Sequence, residues 1–100
     1  MDAYERLQEC TGFQWDVANV HKICEKHNVT PAECEQTFFN LPLIAAGDVE
    51  HSQKEIRFFT LGKTDMGRRL FAVFTIRKKL IRVISARDMS RKERKEYERS

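Results

Sequence analysis

Residues 70–100, LFAVFTIRKKLIRVISARDMSRKERKEYERS, decide the fold of this chain. Val, Ile and Phe are frequent in residues 70–76 and 80–86, which predicts two β-strands. Only the short polar stretch 77–79 separates them, so the two strands are expected to form a hairpin with Lys78 and Lys79 at its tip.

The pairing of this hairpin assigns each side chain to a face. Because successive side chains of a strand point to opposite faces, one face is apolar and forms the core side. The other face carries Thr75, Arg77 and Arg82 near the turn, which indicates a cationic surface that binds an anion. By the same alternation Ser85 and Arg87 fall on the core side, so Arg87 is expected to emerge at the strand end or in the following loop.

A helix signal follows the hairpin. Ser90 and Glu93 have the spacing of a capping box, which predicts a helix that begins there and runs towards Arg99. This helix is rich in Arg and Lys. It is either a solvent-exposed charged helix or one that also lines a polyanion site.

Length and composition predict one globular domain over residues 1–100, with a mobile segment at 1–11. The 41% of hydrophobic residues exclude a disordered chain. No apolar stretch reaches the roughly 20 residues of a membrane-spanning helix, and the acidic first residues do not resemble a signal peptide. We therefore expect a cytoplasmic protein.

The two halves of the chain carry opposite charge. Residues 1–50 contain 3 Lys and Arg against 9 Asp and Glu, whereas residues 51–100 contain 15 against 6. The basic half indicates a polyanionic partner such as nucleic acid. The alternative is that it pairs with the acidic half of the same chain.

Cysteine and histidine do not predict a metal site. Cys10, Cys24 and Cys34 are an odd number, which indicates reduced thiols rather than a disulfide framework. His21, Cys24 and His27 are spaced as zinc ligands sometimes are, but on a helix the two histidines diverge by roughly 120°. We expect no metal and no other cofactor.

Upstream of the hairpin the sequence predicts a strand and a helix. Residues 13–15 alternate apolar and polar side chains, as in a brief strand at a sheet edge. Asp16 is a good N-cap for a helix over residues 17–27, and Asn28 can end that helix in the left-handed conformation.

A second capping box, Thr30-Pro31-Ala32-Glu33, predicts another helix that reaches about Phe39. Further strands are expected at residues 43–46 and 55–61, with a polar loop at 47–54 and a turn-rich connection at 62–69. The predicted fold is therefore α+β, with a short N-terminal strand and two helices packed on an antiparallel sheet, and a C-terminal helix.

Several spaced motifs occur together in this chain. They are Phe13-x-Trp15-Asp16, Lys26-His27-x-Val29, Glu55-x-Arg57 with Gly62, Val73-Phe74-Thr75-x-Arg77, Arg82-x-Ile84-Ser85-Ala86-Arg87 and Glu93-x-x-x-Tyr97. From Phe13 to about Tyr97 the chain resembles the BrnT family of toxins from type II toxin-antitoxin systems, small ribonucleases with a RelE-like fold. It departs from that family at Ile76, where a glutamate is common, and at Asn19, Ile23 and Asn28.

The resemblance implies a metal-independent endoribonuclease that cleaves RNA and inhibits translation. It also implies a cognate antitoxin, BrnA-like and small, with a ribbon-helix-helix part, and a hetero-oligomer of the two proteins. Cleavage of this kind needs a base near the 2′-hydroxyl, an acid for the leaving 5′-oxygen, and cations around the phosphate.

Candidate site residues follow from the arginine pattern and the resemblance. The expected catalytic residues are Arg57, Arg77, Arg82, Arg87, Glu55 and His27, with the arginines on the phosphate. Further RNA contacts are expected from Thr75, Lys79, Ser85, Arg91 and Arg94. The assignment requires the arginines to share one solvent-accessible hollow rather than to be neutralised one by one.

The general base and the general acid are not assigned to single residues; the candidates are Glu55, His27, Glu93 and Tyr97. Each has a structural alternative: pairing with a cation for Glu55, the helix macrodipole for His27, the capping box for Glu93 and core packing for Tyr97. The arginines alternatively bind carboxylates of the acidic half or of the antitoxin. A non-catalytic RNA-binding or protein-interaction module would use the same basic face.

Overall fold

The computed structural model describes residues 2–48 and 54–100. The helices of this part are α1 Ala3–Gln8, α2 Val17–His27, α3 Pro31–Phe39 and α4 Arg91–Glu98. Its strands are β1 Gly12–Phe13, β2 Ile44–Gly47, β3 Phe58–Lys63, β4 Arg69–Arg77 and β5 Leu80–Asp88. Residues 49–53 of the predicted polar loop lie outside the described residues.

The described strands form one sheet in the order β1-β5-β4-β3-β2. The predicted α+β class is confirmed, but the sheet is mixed rather than antiparallel, because β1 runs parallel to β5. Backbone hydrogen bonds from Thr11 to Lys79 (2.8 Å) and from Gln14 to Ile81 (2.9 Å) flank this short pairing. The predicted edge position of the first strand is confirmed.

Helix boundaries follow the predicted caps. Asp16 accepts a hydrogen bond from the Asn19 amide at 2.7 Å, and Asn28 ends α2 with φ of 53°. Complete capping boxes begin α3 at Thr30 and α4 at Ser90. These caps satisfy amide groups that the first helical turn leaves unpaired, which is why such local signals place helices well.

The hairpin of β4 and β5 has the predicted register near its turn. Thr75 pairs with Arg82 and Arg77 with Leu80. Lys78 and Lys79 form the tip with φ of 50° and 65°. Left-handed conformations at both central residues match the right-handed twist of the flanking strands, although lysine is an unusual choice there.

A β-bulge interrupts the hairpin farther from the turn. Phe74 pairs with Val83, but Val73 pairs with Ser85, so Ile84 is an extra residue in β5. The extra residue inverts the alternation of side chains beyond it. The prediction that Ser85 and Arg87 lie on the core side is therefore wrong.

Beyond the bulge, Arg87 pairs with Phe71 and lies on the same face as Thr75. Its guanidinium carbon is 4.3 Å from the centre of the Phe71 ring. This contact confirms that Arg87 is inside the strand and on the open face of the sheet.

The strand β3 begins at Phe58, three residues later than predicted. The Thr75 hydroxyl donates a hydrogen bond to the carbonyl of Ile56 at 2.9 Å, and the Asp48 amide donates to the carbonyl of Arg57 at 2.7 Å. The bond from Thr75 is made by a side chain of β4 and not by its backbone, and the bond from Asp48 comes from the residue that follows β2. Residues 54–57 consequently leave the sheet and form a wall above its open face.

The two faces of the sheet are covered differently. On one face, residues of α1, α2 and α3 pack around fully buried Phe74, whose ring lies 5.3 Å from Phe38 and 5.4 Å from Phe58. On the other face, Tyr97 of α4 packs with Leu61 and Phe71. Near the hairpin turn, where Thr75, Arg77 and Arg82 were predicted, no helix of the described ranges 2–48 and 54–100 covers this second face.

Helix α1 was not predicted from the sequence. Asp2 caps it by accepting a hydrogen bond from the Glu5 amide at 2.9 Å, and Ala3 is buried in the core. The Tyr4 hydroxyl accepts a hydrogen bond from the Ala45 amide at 2.9 Å. These tertiary contacts hold a helix of only 6 residues, which would be marginal alone.

Arg68 joins the end of α2 to the sheet. It donates to both carboxylate oxygens of Asp88 at 2.8 and 3.1 Å, to Glu33 at 3.2 Å, and to the carbonyl oxygens of Asn28 (2.8 Å) and His27 (3.2 Å). The Arg68 guanidinium lowers the pKa of Asp88 below 3.8, chiefly through these hydrogen bonds. The network therefore fixes α2 beside β5.

Arg68→Ala is expected to lower the free energy of unfolding by about 2 kcal/mol at neutral pH, because several acceptors lose a charged donor. A carboxyl group whose pKa is lower in the folded than in the unfolded state stabilises the fold at pH values above its unfolded-state pKa. This stabilisation is lost as the pH falls through the folded-state pKa. The difference from wild type should therefore shrink at about pH 3. Urea unfolding of both proteins at neutral pH and at about pH 3 measures this difference in unfolding free energy.

Arg69→Ala is the matched control, because Arg69 pairs with Glu98 in an exposed ion pair at 2.9 Å. Such pairs contribute only about 0–1 kcal/mol. Equal losses of unfolding free energy for the two variants would show that the Arg68 network does not hold α2 in place.

Candidate active site

A cavity of about 320 Å³ opens on the uncovered face of the sheet, between α2 and the wall of residues 54–57. We call it the hairpin cavity. Its lining residues are Asn19, Lys22, Lys54, Glu55, Arg57, Thr75, Arg77, Arg82 and Ile84. Five of these side chains are cationic and one is a carboxylate, so the lining has a strong positive charge.

Arg77 is paired with Glu55 inside this cavity. Its Nε donates to Glu55 Oε2 at 2.8 Å, and a second, shorter contact joins Nη2 to Oε1. The hydrogen bonds from Arg77 are the main reason that the pKa of Glu55 lies below its ordinary value. Glu55 is therefore ionised at neutral pH and can only accept hydrogen bonds there.

Arg82 is paired with Asp16, the N-cap of α2. Its Nη2 lies 2.6 Å from Asp16 Oδ2, while the other oxygen of Asp16 accepts from the Asn19 amide. The Asn19 amide and then Arg82 lower the pKa of Asp16. One carboxylate thus begins the helix and orients a guanidinium at the rim of the cavity.

The predicted arginine cluster is only partly gathered. Arg57, Arg77 and Arg82 line the hairpin cavity, but Arg87 lies in a neighbouring hollow. Arg77, Arg82 and Arg87 each contact a carboxylate of the same chain. The alternative that arginines bind carboxylates of the acidic half is confirmed for Arg82, whose partner is Asp16, and the alternative that Glu55 pairs with a cation is confirmed by Arg77. Arg87 pairs with Glu93 of the basic half, and the lining of the hairpin cavity keeps an excess of positive charge.

The neighbouring hollow has a volume of about 230 Å³ and lies between α2 and the second half of β5. We call it the helix cavity. It contains Ser85, Arg87 and His27, so these predicted residues do not share one space with Arg77 and Arg82.

Glu93 holds Arg87 at the edge of the helix cavity. Both oxygens of Glu93 accept from the guanidinium, at 2.8 and 2.9 Å, and the Ser90 amide donates to it as well. The pKa of Glu93 is lowered, first by Arg87. The capping-box alternative for Glu93 is confirmed, and its carboxylate is occupied by these donors.

Three of the predicted RNA contacts lie outside both cavities. Lys79 is at the hairpin tip, Arg91 begins α4, and Arg94 lines a separate hollow with Arg69 and Asp88. Thr75 does line the hairpin cavity, but it is 3% exposed and its hydroxyl donates to Ile56. It therefore supports the wall instead of presenting a donor to a ligand.

Tyr97 is 4% exposed, and its hydroxyl donates to the carbonyl of Pro42 at 2.6 Å. Burial raises its pKa. The core-packing alternative for Tyr97 is therefore confirmed, and Tyr97 lies in neither cavity.

Tyr97→Phe is expected to leave RNA cleavage unchanged and to lower the free energy of unfolding by about 1 kcal/mol, because only one hydrogen bond is lost. Parallel cleavage assays and urea unfolding test this. A loss of cleavage at unchanged stability would instead make the phenol part of the chemistry.

Asn19, Lys22 and Lys54 line the hairpin cavity but were not predicted as site residues. The side-chain Nδ2 of Asn19 donates to the carbonyl of Val83 in a short contact, at a position where β5 has no partner on this side among the described strands. Helical spacing could have indicated Lys22, because residues three apart, such as Asn19 and Lys22, lie on the same face of a helix. No local pattern placed Lys54 there.

Neither a metal cluster nor a membrane-spanning helix is found in the described ranges 2–48 and 54–100. No three His, Cys, Asp or Glu side chains of these ranges are grouped to hold an ion. No helix in them is long and apolar enough to cross a membrane.

Comparison with known families shows which family the chain matches. The family described as "Ribonuclease toxin, BrnT, of type II toxin-antitoxin system" matches residues 15–93. The chain belongs to this family. Its members are ribonuclease toxins, and membership of a type II system implies an antitoxin as partner. No curated protein matches the chain.

The matched range of the BrnT family includes every lining residue of the hairpin cavity and of the helix cavity. It excludes α1 and β1. The family match and the two basic cavities therefore concern the same part of the molecule.

Proposed function

We propose that the chain is an endoribonuclease toxin that cleaves RNA in the hairpin cavity without a metal ion. The observation that carries this proposal is the lining of that cavity, where five cations of the described residues surround one ionised carboxylate on the face of the sheet opposite the main core. Membership of the BrnT family supports it.

The arginines act on the phosphate in this proposal. Arg57, Arg77 and Arg82 neutralise the charge that accumulates on phosphorus as the 2′-oxygen attacks and the 5′-oxygen leaves. Arg77 and Arg82 must exchange their carboxylate partners for phosphate oxygens. Both pairs are partly exposed, so this exchange needs no opening of the core.

Glu55 is the proposed general base. It is the one carboxylate that lines the hairpin cavity among the described residues, and before RNA binds Arg77 holds it inside the cavity. It accepts the proton of the 2′-hydroxyl, and a cationic side chain of the lining or water supplies a proton to the 5′-oxygen. The Ile76 departure is consistent with this role, since the carboxylate comes from the wall and not from β4.

The biological consequence would be arrest of translation in the cytoplasm, reversed by a small BrnA-like antitoxin with a ribbon-helix-helix part in a hetero-oligomer. Purified protein should fragment RNA in the presence of EDTA, and its expression without antitoxin should arrest growth. Intact RNA together with normal growth would contradict the proposal.

A non-catalytic RNA-binding module is the second candidate function. The ion pair of Arg77 with Glu55 favours it, because it lowers the basicity of the proposed general base. Salt-dependent binding of RNA without cleavage products would identify this function.

A further inference from the structure

The helix cavity continues the hairpin cavity along the groove between α2 and β5. Lys22 lines both spaces. The bulge at Ile84 brings Ser85 and Arg87 to the face on which Arg82 lies. Cationic side chains therefore follow one line from the hairpin turn towards the end of α2.

The lining of the helix cavity is basic in its own right. Lys22, Lys26 and Arg87 line it together with His27, and no carboxylate is among its lining residues in the described parts of the chain. Glu93 and the Phe71 ring hold the Arg87 guanidinium in one orientation. A preorganised cation loses less conformational entropy when it binds an anion than a flexible one does.

These cations are spread over a distance greater than the size of one phosphate group. Lys22 and Lys26 are one helical turn apart, about 6 Å along α2. Arg82 and Arg87 are separated by five residues of β5, at most about 17 Å. A groove of this length and charge fits the backbone of a single strand, as in proteins that bind single-stranded nucleic acid through a positive groove.

We propose that the helix cavity is a second subsite, in which Lys22, Lys26 and Arg87 bind a phosphate of the same single-stranded RNA that is cleaved in the hairpin cavity. This inference rests on the proposed function. Lys26 is then a binding residue that contributes to affinity for longer substrates, while the chemistry stays with the residues of the hairpin cavity.

Lys26→Ala tests the subsite, and Lys95→Ala is its matched control, because both are exposed lysines in the last turn of a helix. Binding is measured with a single-stranded RNA analogue whose ribose hydroxyls are methylated, so that it is not cleaved. Lys26→Ala should weaken binding roughly three-fold at low salt. It should also reduce the slope of log K against log salt by about 0.7, the value for one lost phosphate contact of a single strand.

Cleavage assays separate the two subsites. For a long RNA, Lys26→Ala should raise KM and leave kcat unchanged. For a dinucleotide, whose single phosphate occupies the hairpin cavity, Lys26→Ala and wild type should be equal. Lys95→Ala should match wild type with both substrates.

The outcomes distinguish this inference from the proposed function. Wild type that neither binds nor cleaves RNA contradicts the proposed function itself. Wild type that cleaves RNA, with Lys26→Ala indistinguishable from Lys95→Ala, overturns the second subsite alone. A Lys26→Ala defect that appears only in binding to an acidic protein partner also overturns it.

Discussion

Arg82→Ala is expected to lower the rate of RNA cleavage by about 100-fold or more, the usual cost of removing one preorganised donor from a developing charge. Arg82 lies on the open face of β5 and lines the hairpin cavity beside Arg77. Arg82→Lys should recover only part of the rate, because an ammonium group cannot reproduce a bidentate guanidinium contact. Single-turnover cleavage of a defined RNA measures both variants.

Asp16→Ser is the control for a structural role of Arg82. Serine is about as good an N-cap as aspartate, so α2 should still begin at Val17 while Arg82 loses its carboxylate partner. We expect Asp16→Ser to cleave RNA at nearly the wild-type rate. Equal losses of activity for Asp16→Ser and Arg82→Ala would mean that Arg82 serves to hold Asp16 rather than to contact phosphate.

Glu55→Gln is expected to reduce kcat by about 100-fold, the lower range for removal of a general base. RNA binding should become tighter at the same time, because the substitution removes the negative charge that pairs with Arg77. Rapid-quench cleavage and binding of a non-cleavable RNA analogue measure the two effects separately.

The pH dependence of cleavage gives an independent check on Glu55. Because the Arg77 guanidinium lowers the pKa of Glu55 below 4.5, the carboxylate is already ionised at neutral pH. The acidic limb of the rate profile should therefore lie below about pH 4.5 and should be absent in Glu55→Gln. Faster cleavage by Glu55→Gln would show instead that Glu55 only restrains Arg77.

Local signals explain why much of the fold could be predicted. The caps Asp16, Thr30 and Ser90 each satisfy backbone groups within three residues, so the helices that they begin appear in the sequence itself. The hairpin register near Lys78 and Lys79 is equally local, since a two-residue tip determines which residues face each other.

Features that depend on distant contacts could not be predicted. Helix α1 is held by the bond between Tyr4 and Ala45, which are 41 residues apart in the chain. The Arg82–Asp16 pair joins residues 66 apart. Nothing in the spacing of the arginines showed that Arg82 would meet a carboxylate of the acidic half.

The candidate site was predictable in part for the same reason. Alternation along the strands correctly placed Arg77 and Arg82 on the open face. The wall that carries Glu55 lies outside the sheet, where the Thr75 hydroxyl donates a hydrogen bond to the Ile56 carbonyl. Such a side-chain bond leaves no periodic pattern in the sequence, so the predicted strand continued through residues that the structure places outside it.

The extra residue at Ile84 has a consequence for comparing this chain with its relatives. Between Arg82 and Arg87, β5 contains one residue more than β4 contains between their partners Thr75 and Phe71. Because of this extra residue, Arg87 lies on the same face of the sheet as Arg82. In a relative without this extra residue, an arginine five positions after the counterpart of Arg82 would point towards the interior. Strand length, and not residue identity alone, thus decides whether an aligned arginine can reach a ligand.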